Sequence, residues 1–165
     1  MKKLLLALFV MCSALSFSAK VIKSSNIEVK EDVVYEAGQK TPYTGVLEDY
    51  NDKGVVTARA EFKNGVMDGY SKLYYPNGKL SSEATFKNGV QVGVQKDYYE
   101  NGKLQGEIPY NNGVIEGIVK VYHENGKVSE EVTFKNGKKN GPMKIYDENG
   151  KLEKQSNFVD DRQVD

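Results

Sequence analysis

Apolar and polar residues alternate along most of the chain in segments of about eight residues, and polar turn residues separate these segments. The segments 69–75 and 79–86 have the length and the period-two pattern of β-strands rather than of helices. A tyrosine followed closely by Asn-Gly-Lys recurs every 24 residues, at Tyr74, Tyr98, Tyr122 and Tyr146. A period of this length indicates an array of repeated supersecondary units.

Each unit contains two turn sequences. One is the Asn-Gly at 77–78 and its equivalents, and the other follows an aromatic residue, as at 86–89. Glycine adopts the positive φ that closes a hairpin, and Pro76, two residues before Gly78, suits a type I turn completed by a glycine bulge. Because both turns are hairpin turns, the chain is predicted to zigzag as an antiparallel meander.

The array has five units by our count, over residues 35–158. The first unit is degenerate, because six residues rather than three separate Gly38 from Gly45. Near the end of the chain, Asp160 and Asp161 replace the Asn-Gly of a sixth unit that stops early, as expected of a capping terminus.

The predicted fold class is therefore all-β. We expect an elongated single-layer antiparallel β-meander, or solenoid, of about five 24-residue hairpin repeats. Residues 20–34 are expected to form an N-terminal strand or cap, and residues 159–165 an acidic C-terminal tail that protects the exposed sheet edge from self-association.

The turn at 76–78 also predicts the register of the hairpin. It places Tyr74 opposite Leu80, with both side chains on the same face of the sheet. Period-two alternation puts Ala84 and Phe86 on that face as well. The tyrosines, the leucines and the second set of aromatic residues are therefore expected to form parallel rows that make up the core.

The start of the chain has a different character. Two lysines precede an uncharged run of 16 residues, 4–19, which ends in small side chains. This pattern predicts a secretory signal peptide over residues 1–19, cleaved after Ser18 or Ala19. The run is shorter than the roughly 18–20 residues of a spanning helix, so an uncleaved anchor is the less favoured alternative. We expect export by the Sec pathway to the periplasm, the cell surface or the medium.

Charge and cysteine content exclude several classes of function. The chain carries 23 basic and 23 acidic residues, and removal of the predicted signal peptide with its two lysines leaves 21 against 23. Nucleic-acid binding normally needs a clustered positive excess, so we expect none, and the same balance disfavours binding to membrane lipid. The one cysteine, Cys12, lies in the signal peptide, so the processed chain has no disulfide and no thiolate metal site.

The repeat resembles a known family. Lys-Asn-Gly-x-x-x-Gly, followed by Tyr and a second x-Asn-Gly, resembles the MORN repeat, and specifically the shorter bacterial variant of YwqK-type antitoxin proteins. Standard MORN units have Tyr-Glu-Gly after the second turn, where this chain has Leu-Ser-Ser at 80–82, and a second Gly after the first turn, where it has Ser71. The resemblance covers residues 35–158. It implies a curved single-layer sheet that serves as a scaffold for binding protein or lipid, with no catalytic residue.

Two rows of side chains are candidates for an interaction surface. The rows are the repeated tyrosines and the lysines two residues before them, on the same face by parity: Lys72, Lys96, Lys120, Lys144, Tyr74, Tyr98, Tyr122 and Tyr146. For the tyrosines, packing between repeats is favoured over recognition, although both suit their large rigid rings. The lysines either cover neighbouring rings with their stems or receive an acidic partner or a sugar-acid polymer.

Other polar residues carry no predicted chemistry. Glu83, Glu107 and Glu131 are expected on the face opposite the tyrosines, exposed and roughly 10 Å apart, slightly beyond the separation of an inverting glycosidase pair. His123, the one histidine, is interpreted as a surface substitution beside a turn. The sequence predicts no catalytic residue, no metal ligand and no cofactor.

These observations predict a non-enzymatic, exported, MORN-like scaffold that mediates protein or glycan interaction at the cell envelope or a host interface. The partner, a protein or a glycan, is not identified by the sequence, and both a monomer and an edge-paired oligomer fit it. The alternative is an antitoxin or immunity protein that neutralises a toxin by direct binding. Because the chain carries an export signal, that toxin would have to act in the envelope.

Overall fold

Successive hairpins build one long sheet, as a computed structural model that describes residues 19–164 shows. The predicted signal peptide therefore lies outside the described residues, apart from Ala19. A single 3-10 turn (Ser24–Asn26) accompanies the strands of this part of the chain. The strands are β1 (Val21–Lys23), β2 (Ile27–Lys30), β3 (Val33–Glu36), β4 (Gly45–Tyr50), β5 (Val56–Lys63), β6 (Val66–Tyr74), β7 (Leu80–Lys87), β8 (Val90–Tyr98), β9 (Leu104–Asn111), β10 (Val114–Ile115), β11 (Gly117–Tyr122), β12 (Val128–Lys135), β13 (Lys138–Tyr146), β14 (Leu152–Val159) and β15 (Arg162–Gln163).

The predicted all-β meander is confirmed. The main sheet has 13 strands in the order β1-β4-β5-β6-β7-β8-β9-β11-β12-β13-β14-β15, with the short β10 paired to β9. From β4 onwards each strand pairs antiparallel with the next one along the main path. Its repeats therefore contact mainly their neighbours in sequence, as in other repeat proteins.

The two turns of a unit have different geometries. In the loop at 88–89 both residues have positive φ, 49° for Asn88 and 80° for Gly89, which is the type I′ geometry of a two-residue hairpin. In the other turn the Gly78 N–H donates to the Tyr75 carbonyl at 2.8 Å, and the Tyr75 N–H donates to the Lys79 carbonyl at 2.8 Å. With φ of 81° at Gly78, this is the predicted type I turn with a glycine bulge.

One bulged residue in each unit changes the faces that the alternation predicts. Tyr74 pairs with Leu80 as expected, but the next pair is Leu73 with Ser82, so Ser81 is an extra residue. An unpaired extra residue reverses the alternation of everything beyond it. Phe86 pairs with Gly69 and lies, with Ala84, on the face opposite Tyr74. The prediction that these residues share the tyrosine face is wrong.

The sheet thus has two distinct faces. The charged face carries Lys72, Tyr74 and Glu83 and their equivalents, and the aromatic face carries Ala84 and Phe86 and theirs. On the aromatic face each ring lies opposite a glycine of the paired strand, in the pairs Phe62–Gly45, Phe86–Gly69, Tyr110–Gly93, Phe134–Gly117 and Phe158–Gly141. Within residues 19–164 no large side chain is completely buried, as expected of a single layer.

The small core lies at the N-terminal end. Ile22, Val34 and Tyr43 are buried together, with Phe62 and Leu47 packed against them. The predicted strand or cap over 20–34 corresponds here to β1, which pairs parallel with β4, and to the separate β2–β3 hairpin. The cap therefore covers the first edge of the sheet.

The boundaries of the repeat array also differ from those expected. Tyr35, the expected start of the first unit, forms only an isolated bridge with Pro42, and its strand β3 pairs with β2. At the other end Asp160 and Asp161, with φ of 48° and 68°, close a last hairpin in which β15 pairs with β14. The expected acidic tail is thus partly a hairpin. No helix in the described residues has the length and apolar character needed to cross a bilayer.

Candidate interaction surface on the charged face

A row of charged side chains crosses the charged face from strand to strand. Each member is the direct cross-strand partner of the next, and we call the row the charge ladder: Lys23, Glu48, Arg59, Lys72, Glu83, Lys96, Glu107, Lys120, Glu131, Lys144 and Gln155. The four candidate lysines therefore alternate with the repeated glutamates. Opposite charges in directly paired positions stabilise a sheet.

The glutamates lie on the charged face, contrary to prediction. Glu83 pairs with Lys72 on one side and with Lys96 on the other, so it shares their face. The bulge at Ser81 is the reason, because it reverses the alternation between Leu80 and Glu83. One feature of the sequence could have revealed the bulge: regular alternation placed the charged Lys72 on a face that was expected to be apolar.

Three of the ladder pairs are close ion pairs, and in the shortest the Arg59 Nη1 lies 2.9 Å from Glu48 Oε1. The other two pairs each contain a lysine. The Lys72 Nζ lies 3.9 Å from Glu83 Oε2, and the Lys120 Nζ lies 3.8 Å from Glu131 Oε1. These side chains are partly exposed, so each pair contributes only about 0.2–1 kcal/mol. The ladder therefore organises the face more than it stabilises the fold, and its lysines do not form an isolated positive stripe.

The tyrosine row is tied to the same glutamates. The hydroxyls of Tyr98 and Tyr122 donate to carboxylate oxygens of Glu83 and Glu107, each at 2.7 Å. Tyr146 makes the equivalent bond to Glu131 at 3.1 Å. The three tyrosines are half-buried, and their hydroxyls link one repeat to the next. Packing between repeats thus accounts for their repetition, while their use in recognition stays a prediction.

Burial and the glutamate bonds change the acidity of these tyrosines. Burial first, and then the hydrogen bond and the negative charge of Glu83, raise the pKa of Tyr98 to about 12. The same causes, with Glu107 as the partner, raise the pKa of Tyr122 to about 12. Deprotonation would place a phenolate beside a carboxylate, so both hydroxyls remain proton donors at neutral pH.

A second set of bonds links the repeats along the rim of type I turns. The hydroxyls of Tyr75 and Tyr99 donate to the carbonyls of Tyr98 and Tyr122. His123 takes the same place and its Nε2 lies 2.9 Å from the Tyr146 carbonyl oxygen. Because a carbonyl only accepts, this nitrogen carries a proton. His123 is half-buried and bridges two repeats, a role that its interpretation as a surface substitution missed.

Comparison with known families agrees with this geometry. The sequence profile of the MORN repeat variant matches residues 67–88, 91–112, 115–136 and 139–160, which together span more than half of the chain. The chain belongs to the MORN repeat variant family. The match supports four repeats where the sequence suggested five, and it does not extend to the YwqK-type antitoxins in particular. A search of curated proteins finds no match.

Membership of the MORN repeat variant family indicates a repeat scaffold, and the family is generally non-enzymatic. In the part of the chain that the structure describes, no three histidine, cysteine, aspartate or glutamate side chains are grouped to hold a metal ion. A repeat scaffold of this family suggests a binding surface.

An exposed apolar row lies beside the charge ladder and was missed by the sequence reasoning. It consists of the residues two positions before each ladder lysine, which project from the charged face of successive MORN repeats: Tyr70, Val94, Ile118 and Pro142. Tyr70 is 58% exposed, Val94 47% and Ile118 49%. The sequence could have identified the row, because residues two positions apart in a strand lie on the same face and these residues each lie two positions before a lysine.

Proposed function

We propose that this MORN repeat variant protein is a non-enzymatic, exported scaffold that binds a protein or glycan partner through the charged face of its sheet. The exposed apolar row beside the charge ladder carries the proposal. Apolar side chains rimmed by charges are typical of recognition surfaces on soluble proteins. An open single-layer sheet offers a large area for its mass, and a change in one repeat leaves the next repeat in place.

The row and the ladder together suit an elongated partner. Equivalent residues of successive repeats are separated by two strands, roughly 10 Å, so Val94 and Ile118 offer two apolar contacts in line. The lysines and glutamates beside them add paired charges, which favour one orientation of the partner over another.

Affinity capture with residues 20–165 tests the proposal. Val94→Ser with Ile118→Ser removes the centre of the apolar row, and we expect captured partner to fall about tenfold or more. The matched control is Leu73→Ser, which changes a 49% exposed side chain on the aromatic face and should leave capture unchanged. Equal capture by the double variant and the control, at equal thermal stability, would mean that the charged face is not the binding face.

Export is tested on the full chain. We expect the protein recovered from cells to begin at Ala19 or Lys20, as measured by intact mass, and to be found outside the cytoplasm. An intact N-terminus in the cytoplasmic fraction would contradict export. If the protein instead rescues cells poisoned by a toxin that acts in the envelope, the immunity role replaces the general scaffold.

A further inference from the structure

The charge ladder contains one junction between like charges. Glu48 lies 24 residues before Lys72, and Arg59 lies 24 residues before Glu83, so the ion pair of the first repeat is reversed relative to the later repeats. As a result Arg59 pairs directly with Lys72 across β5 and β6. Like charges in opposite positions disfavour a sheet, and an anion between them would remove that cost.

The carboxylates that accompany these two cations lie on the outer sides of the junction. The Arg59 Nη1 donates to Glu48 Oε1 at 2.9 Å, from β5 to β4. The Lys72 Nζ lies 3.9 Å from Glu83, from β6 towards β7. Arginine has five N–H donors and lysine three, so both cations keep donors for a ligand placed between them, and both side chains are exposed by more than a third.

Tyr74 adds an available hydroxyl at the same place. In the later repeats the equivalent tyrosines donate to a glutamate, as Tyr98 does to Glu83. The residue in the corresponding position for Tyr74 is Arg59, which is not an acceptor. Among residues 19–164 the Tyr74 hydroxyl has no hydrogen-bond partner, so it can donate to a ligand.

These residues line one open cleft. Its volume is about 300 Å³, and its lining consists of Arg59, Glu61, Tyr70, Lys72 and Tyr74. Tyr70 presents an exposed ring, with the Lys72 Nζ 5.9 Å from the ring centroid. Glu61 accepts the Tyr70 backbone N–H through Oε2 at 3.1 Å, which leaves Oε1 able to accept a bond from a ligand.

We propose that this cleft binds a sugar residue that carries a carboxylate, of the hexuronic acid type. Arg59 and Lys72 bind the carboxylate, since charge-assisted bonds to a guanidinium are strong and directional. The ring of Tyr70 packs against the apolar face of the sugar. The hydroxyls of the sugar bond to Glu61 and Tyr74. The inference rests on the proposed function that the chain is a binding scaffold, and it names a ligand class for one cleft.

Glu61 decides between ligand classes. An acceptor carboxylate inside the cleft suits a ligand that has hydroxyl donors as well as a negative group, and it repels a ligand that is only a dense cluster of anions. The exposed ring of Tyr70 likewise favours a ligand with a flat apolar face. A sugar acid has all three features.

Calorimetric titration of residues 20–165 with defined saccharides tests the proposal. We expect binding of trigalacturonate, and weaker but detectable binding of the galacturonate monomer. The neutral galactotriose should bind at least about tenfold more weakly than trigalacturonate, because it lacks the carboxylate. Equal binding of galactotriose would overturn the role of the cations, and equal binding of a tri-aspartate peptide would overturn the assignment to a sugar.

A variant that restores the pattern of the later repeats provides the sharpest test. Lys23→Glu, Glu48→Lys and Arg59→Glu together make the charges of the ladder alternate from β1 to β13 and provide Tyr74 with a glutamate. The folded variant should bind trigalacturonate at least about tenfold more weakly. Lys154→Gln, which changes an exposed lysine on the aromatic face, is the control and should bind as the parent does.

Unchanged binding by the folded triple variant, or no binding of trigalacturonate to the parent chain, would refute the cleft assignment. Capture of a protein partner is tested at Val94 and Ile118, which lie outside the cleft, although Tyr70 belongs to both the apolar row and the cleft. Failure of the sugar titration is therefore distinguishable from failure of the proposed function.

Discussion

Single side chains of the charged face serve more than one neighbour. Glu83 accepts the Tyr98 hydroxyl through Oε1 and lies near the Lys72 ammonium through Oε2. The two contacts come from different strands, so one carboxylate joins three strands of the sheet. The bond from Tyr98 exists only while the phenol keeps its proton, which makes this part of the face sensitive to alkali.

The tyrosine titration tests that sensitivity. Burial and Glu83 raise the pKa of Tyr98 from 10.0 to about 12, and burial and Glu107 do the same for Tyr122. A raised folded-state pKa contributes stability that is fully present below pH 10 and is lost as the pH rises through about 12. We expect the thermal midpoint to fall over that range, with late growth of tyrosinate absorbance.

The matched variants separate the two causes. Glu107→Gln keeps an acceptor but removes the charge, and should lower the pKa of Tyr122 towards its ordinary value. Tyr98→Phe with Tyr122→Phe should reduce the late-titrating absorbance without abolishing it, because the pKa values of Tyr43, Tyr50 and Tyr146 are also raised. If all tyrosines ionise together near pH 10.0 while the far-ultraviolet circular dichroism still shows a folded sheet, the tyrosine–glutamate bonds are absent.

The hairpin elements were predictable where a residue determines its own backbone geometry. Asn88 and Gly89 have the positive φ that their turn needs, and this preference is local. The bulge at Ser81 was not predictable from the repeat, because an extra residue present in every unit leaves the 24-residue period unchanged. Because the extra residue Ser81 was not anticipated, Glu83 and Phe86 were each predicted on the wrong face of the sheet.

Engineered cysteine pairs distinguish the bulged register from the regular one. Residues 20–165 contain no cysteine. In the bulged register Lys72 faces Glu83, so Lys72→Cys with Glu83→Cys should form a disulfide on oxidation. Regular alternation from the turn would instead pair position 72 with Ser82, and Lys72→Cys with Ser82→Cys is the matched control. Cross-linking of the control alone, seen by mass spectrometry of the oxidised chain, would contradict the bulge.

The aromatic–glycine pairs predict the energetic weight of the aromatic face. Phe134 is the cross-strand partner of Gly117 and is half-buried. Phe134→Ala should therefore cost about 2–3 kcal/mol of unfolding free energy, below the upper range for a fully buried ring. Leu73→Ala, on the same face but 49% exposed, should cost less than about 1 kcal/mol. Urea denaturation measures both losses of unfolding free energy. Equal losses would mean that Phe134 stabilises the sheet no more than the exposed Leu73 does.

At the scale of the whole molecule the fold is a one-dimensional array with a different structure at each end. The N-terminal end has the buried cluster and the parallel strand β1, whereas the other end closes with the two-residue strand β15. A strand or cap over residues 20–34 was predicted, but the parallel pairing of β1 with β4 could not be, since it follows from packing between Ile22, Val34 and Tyr43, which are distant in sequence. Local alternation carries no information about such contacts.

Loss of the cap should therefore destabilise mainly the strands next to it. Tyr43 is 4% exposed, and its hydroxyl donates to the carbonyls of Lys20 and Val46 at 2.7 and 2.8 Å. Tyr43→Ala removes the ring and both bonds, at a cost of about 3–5 kcal/mol at that end. In an array coupled only through neighbours, the loss of stability declines with distance along the sheet.

Hydrogen exchange of the Tyr43→Ala variant measures this decline. Exchange should accelerate strongly in β4 and β5 and little in β13 and β14. The control Tyr43→Phe, which keeps the ring, should have a smaller effect at the same strands. Uniform acceleration from β4 to β14 would show instead that the sheet unfolds as one cooperative unit, in which case no repeat could be altered independently of the others.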